Sequence, residues 1–303
     1  MGLFLAFWGT LLFSLKPVVV KLAYQHGIDS NQLISLRMLI SSPLYLGLLF
    51  WHHKRTPIST SVVRRYWPLL IASGLSGYYL ASLLDLWGLE YISAQLERLI
   101  LFTYPGFVML LSLLIWRKLP SLIMVLAFFC TYAGVGVVFG GEIQQQGSDV
   151  LLGSALVLLS AFLFAIYLVM SKRGIQALGS QVFTCIASLI ASMAVGLHML
   201  ATADVQLIAL PWQAYGWAGV MSVVCTVIPS LMIAGGIARL GPQLVSILGG
   251  MGPILTAFLA VVILHEPFGV SHLVGTALVV IGAWLVVFES RDSEKSSANA
   301  NIR

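Results

Sequence analysis

The chain is built from long apolar runs separated by short polar breaks, and that alternation dictates its class. A bilayer core of about 30 Å takes roughly 20 apolar residues per helix. Measured against that length, runs fall near residues 2–23, 33–51, 67–86, 92–116 and 121–140. A second set follows near 150–171, 181–201, 213–236, 243–264 and 271–288. The runs are apolar all round, as lipid-exposed and bundle-interior helices must be where no water pairs with the backbone. The pattern predicts an all-α polytopic membrane protein with ten transmembrane helices. The first run lacks a basic leading segment and an Ala-x-Ala site, so it reads as a span and not as a cleaved signal.

The breaks carry the orientation. Lys54, Arg55, Arg64 and Arg65 lie between spans 2 and 3, Arg117 and Lys118 between spans 4 and 5, and Lys172 and Arg173 between spans 6 and 7. Arg239 lies between spans 8 and 9, and Arg291, Lys295 and Arg303 lie in the tail. With ten alternating spans all twelve fall on one side. The opposite loops hold His26, Asp29, Glu142, Asp149 and Asp204, and no Lys or Arg. Basic loops stay in the cytoplasm, which predicts cytoplasmic termini in a multi-pass inner (plasma) membrane protein. Miscounting by one span would destroy this separation.

Composition agrees. Of 303 residues, 59% are hydrophobic and 9% charged, against about 25% charged in soluble domains. The net charge of +5 is accounted for by loop topology, so no nucleic-acid partner is expected. Cys130, Cys185 and Cys225 lie in apolar runs and read as small packing residues, without metal-ligand spacing. No metal or cofactor is expected.

A shift of 148 residues aligns Gln95 with Gln243, Leu96 with Leu244, Pro105 with Pro253, Gly134 with Gly282 and Val138 with Val286. Weak internal symmetry of this kind marks secondary transporters. Five spans per half is an odd number, so the halves enter the membrane in opposite directions as two inverted five-helix repeats. The division is 1–145 and 146–290, with 291–303 as a polar cytoplasmic tail expected to lack structure.

Several short patterns resemble a known family. Trp8-Gly9, Lys16 and Leu36-Arg37 open the first half, and Leu240-Gly241-Pro242 leads through Pro253 to Leu264-His265-Glu266-Pro267, then Gly275 and Gly282. Together, over residues 2–288, they resemble EamA-type transporters of the drug/metabolite transporter superfamily. The resemblance implies a ten-helix carrier of two inverted repeats. The family pattern often has an acid after span 4 as well as span 9; here Glu266 fills the second place while Arg117-Lys118 occupy the first. Glu266 is accordingly read as a helix-end residue.

Charges inside spans are costly and mark function. At 1.5 Å per residue, Lys16 lies roughly 9 Å below the outer edge, Arg37 roughly 6 Å, and Glu97 and Arg98 roughly 8–9 Å. These four define an outer-half layer, expected to form a polar chamber open to the periplasmic side. Arg donates two parallel hydrogen bonds and suits carboxylate or phosphate. Glu97 could pair with Lys16 or Arg37, or carry a proton, because burial disfavours a charged carboxyl. Lys21 and Arg37 can also extend to the interface along their stems, and Glu97 can serve as interhelical glue. Asp85 is placed near the outer end of span 3. Two stripes flank the layer: Tyr78, Ser82 and Asp85 on span 3, and Gln95, Arg98, Phe102 and Pro105 on span 4. Tyr78 and Phe102 join the candidate substrate-binding set, with ordinary packing as the competing reading. Pro105, Gly250 and Pro253 mark hinges or cavity linings.

No Walker sequence, Gly-x-Ser-x-Gly or His-x-x-Glu-His pattern is present, which leaves a membrane-embedded enzyme as the non-transport alternative without a motif. The leading expectation is a secondary transporter moving a small metabolite, an amino acid or related carboxylate, outward by alternating access, with protons as candidate coupling ions. The alternative is an exporter of amphipathic or cationic drug-like compounds. Partners are then the substrate and the lipid bilayer, and the chain is compatible with a monomer or a homodimer.

Overall fold

The computed structural model describes residues 1–57, 59–117, 119–202, 210–240 and 242–300; Lys118, Asp204, Gly241 and Arg303 lie outside the described residues. Among those described, nine helices are long and apolar enough to cross a membrane. A shorter apolar helix, Gly252–Leu264, follows Pro242–Gly249 and completes a tenth span.

Five spans are interrupted, three at a proline that opens the second piece and two at a π-helical segment. Span 1 is Gly2–Ser14 and Lys16–Gln25, with Pro17 in the first turn of the second piece. Span 3 is Thr60–Ser73, a π-helical Gly74–Leu80, and Ala81–Tyr91. Span 4 is Ala94–Leu101 and Tyr104–Trp116, with Pro105 opening the second piece. In the second half, span 8 is Trp212–Ser222, a π-helical Val223–Val227, and Ile228–Leu240. Span 9 breaks between Pro242–Gly249 and Gly252–Leu264, where Pro253 repeats the role of Pro105. Proline suits the first turn of a helical piece because its fixed φ is already helical. The remaining spans are Ser30–Arg55, Leu122–Gln146, Asp149–Leu178, Ser180–Thr202 and Val270–Ala300. Span 2 opens on a capping box: Asp29 accepts from the Gln32 amide at 2.7 Å and Gln32 accepts from the Asp29 amide at 3.1 Å.

The irregularities recur at one offset. Spans 4 and 9 each comprise an 8-residue and a 13-residue helix displaced by 148 residues. Each then ends on a left-handed residue, Arg117 (φ 52°) and His265 (φ 55°), again 148 apart. π-Helical segments fall at equivalent places in spans 3 and 8.

The halves interlace: span 1 packs along span 8 and span 3 along span 6, while spans 2 and 7 pair across the middle. Val19, Leu33, Leu86, Ala191 and Met221 form one cluster drawn from both halves. Leu114, Leu122, Leu200 and Phe258 point outward and are exposed, an exterior suited only to lipid. The polar segment after Glu289 continues span 10 as helix to Ala300, since extending an existing helix needs no new nucleus.

Spans 5 and 10 make the most extensive contact. A Cβ on Gly275 would sit 2.6 Å from the Gly134 carbonyl oxygen, and one on Gly282 would sit 2.8 Å from that of Ala127. Backbones approach where small residues allow it. Gly275→Val is therefore expected to cost about 1–3 kcal/mol, read as a lowered denaturation midpoint of the purified protein in detergent.

Candidate functional site

The break in span 1 creates the first element of the site. Pro17 has no amide hydrogen, so the Phe13 carbonyl lacks its usual i+4 donor. Arg98, from span 4, donates to that carbonyl at 2.8 Å. Thr256, from span 9, donates to the neighbouring Ser14 carbonyl at 2.8 Å. The kink is thus held by side chains from both halves. It also turns Lys16 inward, where its ammonium meets the Asp85 carboxylate at 2.5 Å.

Around this pair lies a compact layer of charge. Asp85 is 2% exposed and Glu97 0% exposed. The Glu97 carboxyl lies beside that of Asp85, its one candidate side-chain hydrogen-bond partner among the described residues, with Arg98 and Lys16 within electrostatic reach. Nε of Arg98 is without a hydrogen-bond partner among the described residues. Arg37 is buried, lies within electrostatic reach of Asp85 and Tyr45, and has its carbonyl bonded by Ser222 at 3.2 Å. Cys225, in the π-helical segment of span 8, lies within electrostatic reach of Lys16 and Arg98.

Lys16, Asp85 and Arg98 lie within electrostatic reach of Glu97, and Arg37 within reach of Asp85. Two details differ from the expected layer. Lys16 pairs with Asp85 and not with Glu97, because span 3 extends to Tyr91, which carries Asp85 about 9 Å inward of its end. At the end where span 4 begins, a small cavity of about 140 Å³ is lined by Lys21, Ser93, Gln95, Glu142, Glu266 and His272, in place of the expected wide chamber.

Tyr78 lies elsewhere. Its hydroxyl is 3.1 Å from that of Tyr167 and 3.5 Å from Thr184, between spans 6 and 7. The cause is the π-helical stretch Gly74–Leu80, whose wider turn rotates everything before it relative to Asp85. The stripe Tyr78, Ser82, Asp85 assumed an uninterrupted α-helix.

Phe102 and Pro105 do share a surface. With Tyr104, Phe128, Tyr132 and Lys172 they line a cavity of about 740 Å³ between spans 4, 5, 6 and 10. Glu289 and Leu119 place its other end at the loop that follows span 4. Tyr104, unremarked in the sequence, lines this cavity and lies within electrostatic reach of Arg98, so the inner wall of the cavity adjoins the charge layer. Gly250 lies in the break of span 9, and Pro253 is buried one turn later. A Cβ on Gly252 would lie 3.2 Å from the Phe102 ring, so the two helix breaks face each other across the bundle.

These features match known proteins along the whole chain. The model of the EamA-like transporter family matches residues 1–140 and again 151–288. The chain belongs to the EamA-like transporter family. It is therefore a multi-pass membrane protein of the drug/metabolite transporter superfamily. It is 30% identical over 271 residues to the uncharacterized transporter YcbK of Bacillus subtilis, covering 88% of this chain and 86% of that one. It is 25% identical to the uncharacterized transporter sll1319 of Synechocystis, covering 95% and 94%. A crystal structure of a protein 17% identical superposes with a TM-score of 0.66 over 96% of this chain and 98% of that one, which supports the fold alone. Membership of this family assigns membrane transport of some substrate.

Proposed function

We propose that this EamA-like transporter works by alternating access and exports a small metabolite bearing a carboxylate, an amino acid or a close relative. One observation carries the proposal: Glu97 is wholly buried beside the Asp85 carboxyl, with Lys16 and Arg98 within electrostatic reach of it and Arg37 within reach of Asp85. Two buried carboxyls side by side are expensive to keep ionised together. Such a pair is retained where something else binds beside it or where one member takes up a proton. Three cations against two carboxylates leave the layer one positive charge in excess when Glu97 is ionised, and more when it is protonated. An anionic substrate group relieves that excess. Arg98 and Arg37 supply the donors, and the aromatic wall of Phe102 and Tyr104 receives the apolar part.

Direction follows from where the cavity ends. Its outer residues, Leu119, Lys172 and Glu289, lie with the basic loops, the side that the charge rule assigns to the cytoplasm. A carrier open to that side collects internal solute. The constant offset of 148 residues between the broken spans supports two inverted repeats, 1–145 and 146–290, which exchange roles when the carrier reopens outward.

The test is efflux from proteoliposomes loaded with radiolabelled amino acids, with and without an imposed proton gradient. Gradient-dependent efflux by the wild type, lost in Glu97→Gln while substrate exchange persists, is the expected result. Equal gradient response in both proteins removes Glu97 from coupling, and failure to move any carboxylate in the panel removes the substrate class. A second reading rests on the cavity, which exceeds an amino acid in size and is lined by Phe102, Tyr104, Phe128 and Tyr132. Aromatic faces attract organic cations. Efflux of a lipophilic cation that needs Glu97 but not Arg98 would establish that reading instead.

A further inference from the structure

The start of span 4 is held in a way that its counterpart in span 9 cannot be. A helix begins with amide donors that have no intrahelical acceptor, and here each of the first ones is taken by a side chain. Ser93 donates its amide to Glu142 at 3.4 Å and its hydroxyl to the same carboxylate. Glu266 accepts from the Ala94 amide at 2.8 Å, the Gln95 amide at 3.3 Å and the Gln95 side chain at 3.1 Å. The Leu96 amide donates to the Ser93 hydroxyl at 3.0 Å. Glu266 belongs to the loop between spans 9 and 10, so the contact joins the second half to the first across 172 residues. Lys21 and His272 complete the surround: His272 is 3.8 Å from Glu142, and Lys21 lies within electrostatic reach of both Glu142 and Glu266. The helix fixed in this way, Ala94–Leu101, is the one that bears Glu97 and Arg98.

Applying the 148-residue offset asks what stands at the opposite end. Glu266 corresponds to Lys118, Ser93 to Gly241, Ala94 to Pro242 and Glu142 to Ser290. Each replacement removes a component of the contact: the acceptor becomes a cation, the capping hydroxyl disappears, the first donor is lost to a proline, and the second carboxylate becomes a hydroxyl. The cavity of about 740 Å³ ends beside Leu119.

We infer that Glu266 is a gating residue of the transport cycle: its bonds to Ala94 and Gln95 latch the span-4 end of the carrier, and the sequence at the 148-residue offset, where Lys118 stands in place of the acid, biases the resting state toward opening at the opposite end. The inference rests on the alternating-access reading. Opening the latched end exchanges three hydrogen bonds to a carboxylate for bonds to water, and each such bond is worth roughly tenfold or more in population.

Spin labels in reconstituted full-length protein test this, with the three native cysteines replaced by alanine. One pair at Tyr91 and Val270 reports the latched end, and another at Leu119 and Arg239 reports the other. Wild type is expected to give a single short Tyr91–Val270 distance. Glu266→Gln should add a longer component amounting to a tenfold or greater rise in the open population. Lys118→Glu, which supplies the missing acceptor, should shorten the Leu119–Arg239 distance without touching the latched end. The latch is overturned if both variants reproduce the wild-type distributions. Alternating access is judged separately, by whether wild-type distances at the two ends change in opposite senses when substrate is present.

Discussion

Asp85→Ala is expected to lower the stability of the protein by about 3–5 kcal/mol, the range for leaving one member of a buried ion pair uncompensated. Lys16 Nζ sits 2.5 Å from Asp85, and the side chains are 17% and 2% exposed. Without Asp85 the ammonium must find another partner or another place. Its helix continues nine more residues, to Gln25, or roughly 13 Å, beyond what a lysine side chain can span to reach the interface. Glu97 lies within electrostatic reach but belongs to the helix fixed by the Glu266 and Ser93 contacts, so it cannot swing freely to take over. The double variant Lys16→Met, Asp85→Leu fills the same space without charge and is expected to recover most of the loss, because a well-packed apolar pair commonly matches a buried ion pair. Denaturation in mixed micelles measures all three proteins. Equal stabilities of wild type and Asp85→Ala would mean that Lys16 is hydrated in the bilayer and the pair contributes nothing.

Much of this architecture is legible in the chain because a membrane simplifies the code. A run of twenty apolar residues has few alternatives in lipid, and loop lysines and arginines record direction. Lys16, Glu97 and Arg98 stand out as charges within apolar runs, and the structure sets Lys16 and Arg98 within electrostatic reach of Glu97. What failed depended on the path of the backbone within a span. Gly74 to Leu80 carries no proline and no charge, so nothing in those letters announces a π-helical turn, and the expected face joining Tyr78 to Asp85 did not survive it. Likewise Asp85 seemed terminal only because the apolar run stops near residue 86, whereas the helix continues through Glu90 to Tyr91. The partnership of Glu266 with Ala94 and Gln95 was invisible for another reason: the residues lie 172 apart, and only the packing of the two halves brings them together. Its sequence trace was the departure of Arg117-Lys118 from the acid expected after span 4.

Arg98 is where function and framework are hardest to separate, and a substitution at Pro17 separates them. Arg98→Ala is expected to raise the apparent KM for transport by about 30-fold or more, since truncating one partner of a buried charged hydrogen bond costs about 2–5 kcal/mol and each 1.4 kcal/mol is tenfold. That result alone would be ambiguous, because Arg98 also satisfies the Phe13 carbonyl at 2.8 Å, and losing that bond loosens the kink in span 1. Pro17→Ala restores an amide at the position that ordinarily donates to Phe13, so the carbonyl no longer needs the guanidinium. If Arg98 serves only the framework, Pro17→Ala, Arg98→Ala transports as well as Pro17→Ala alone. If Arg98 holds the substrate carboxylate, the double variant stays as defective as Arg98→Ala while its denaturation midpoint returns toward wild type. Arg98→Lys sharpens the distinction: an ammonium keeps the charge but not the planar fork, so it should recover part of the affinity for a carboxylate. The same comparison bears on the cation-export reading, in which Arg98 repels the substrate and its removal should lower KM. The sign of the KM change in Arg98→Ala, measured with both solute classes, therefore decides which kind of charge the layer was built to receive.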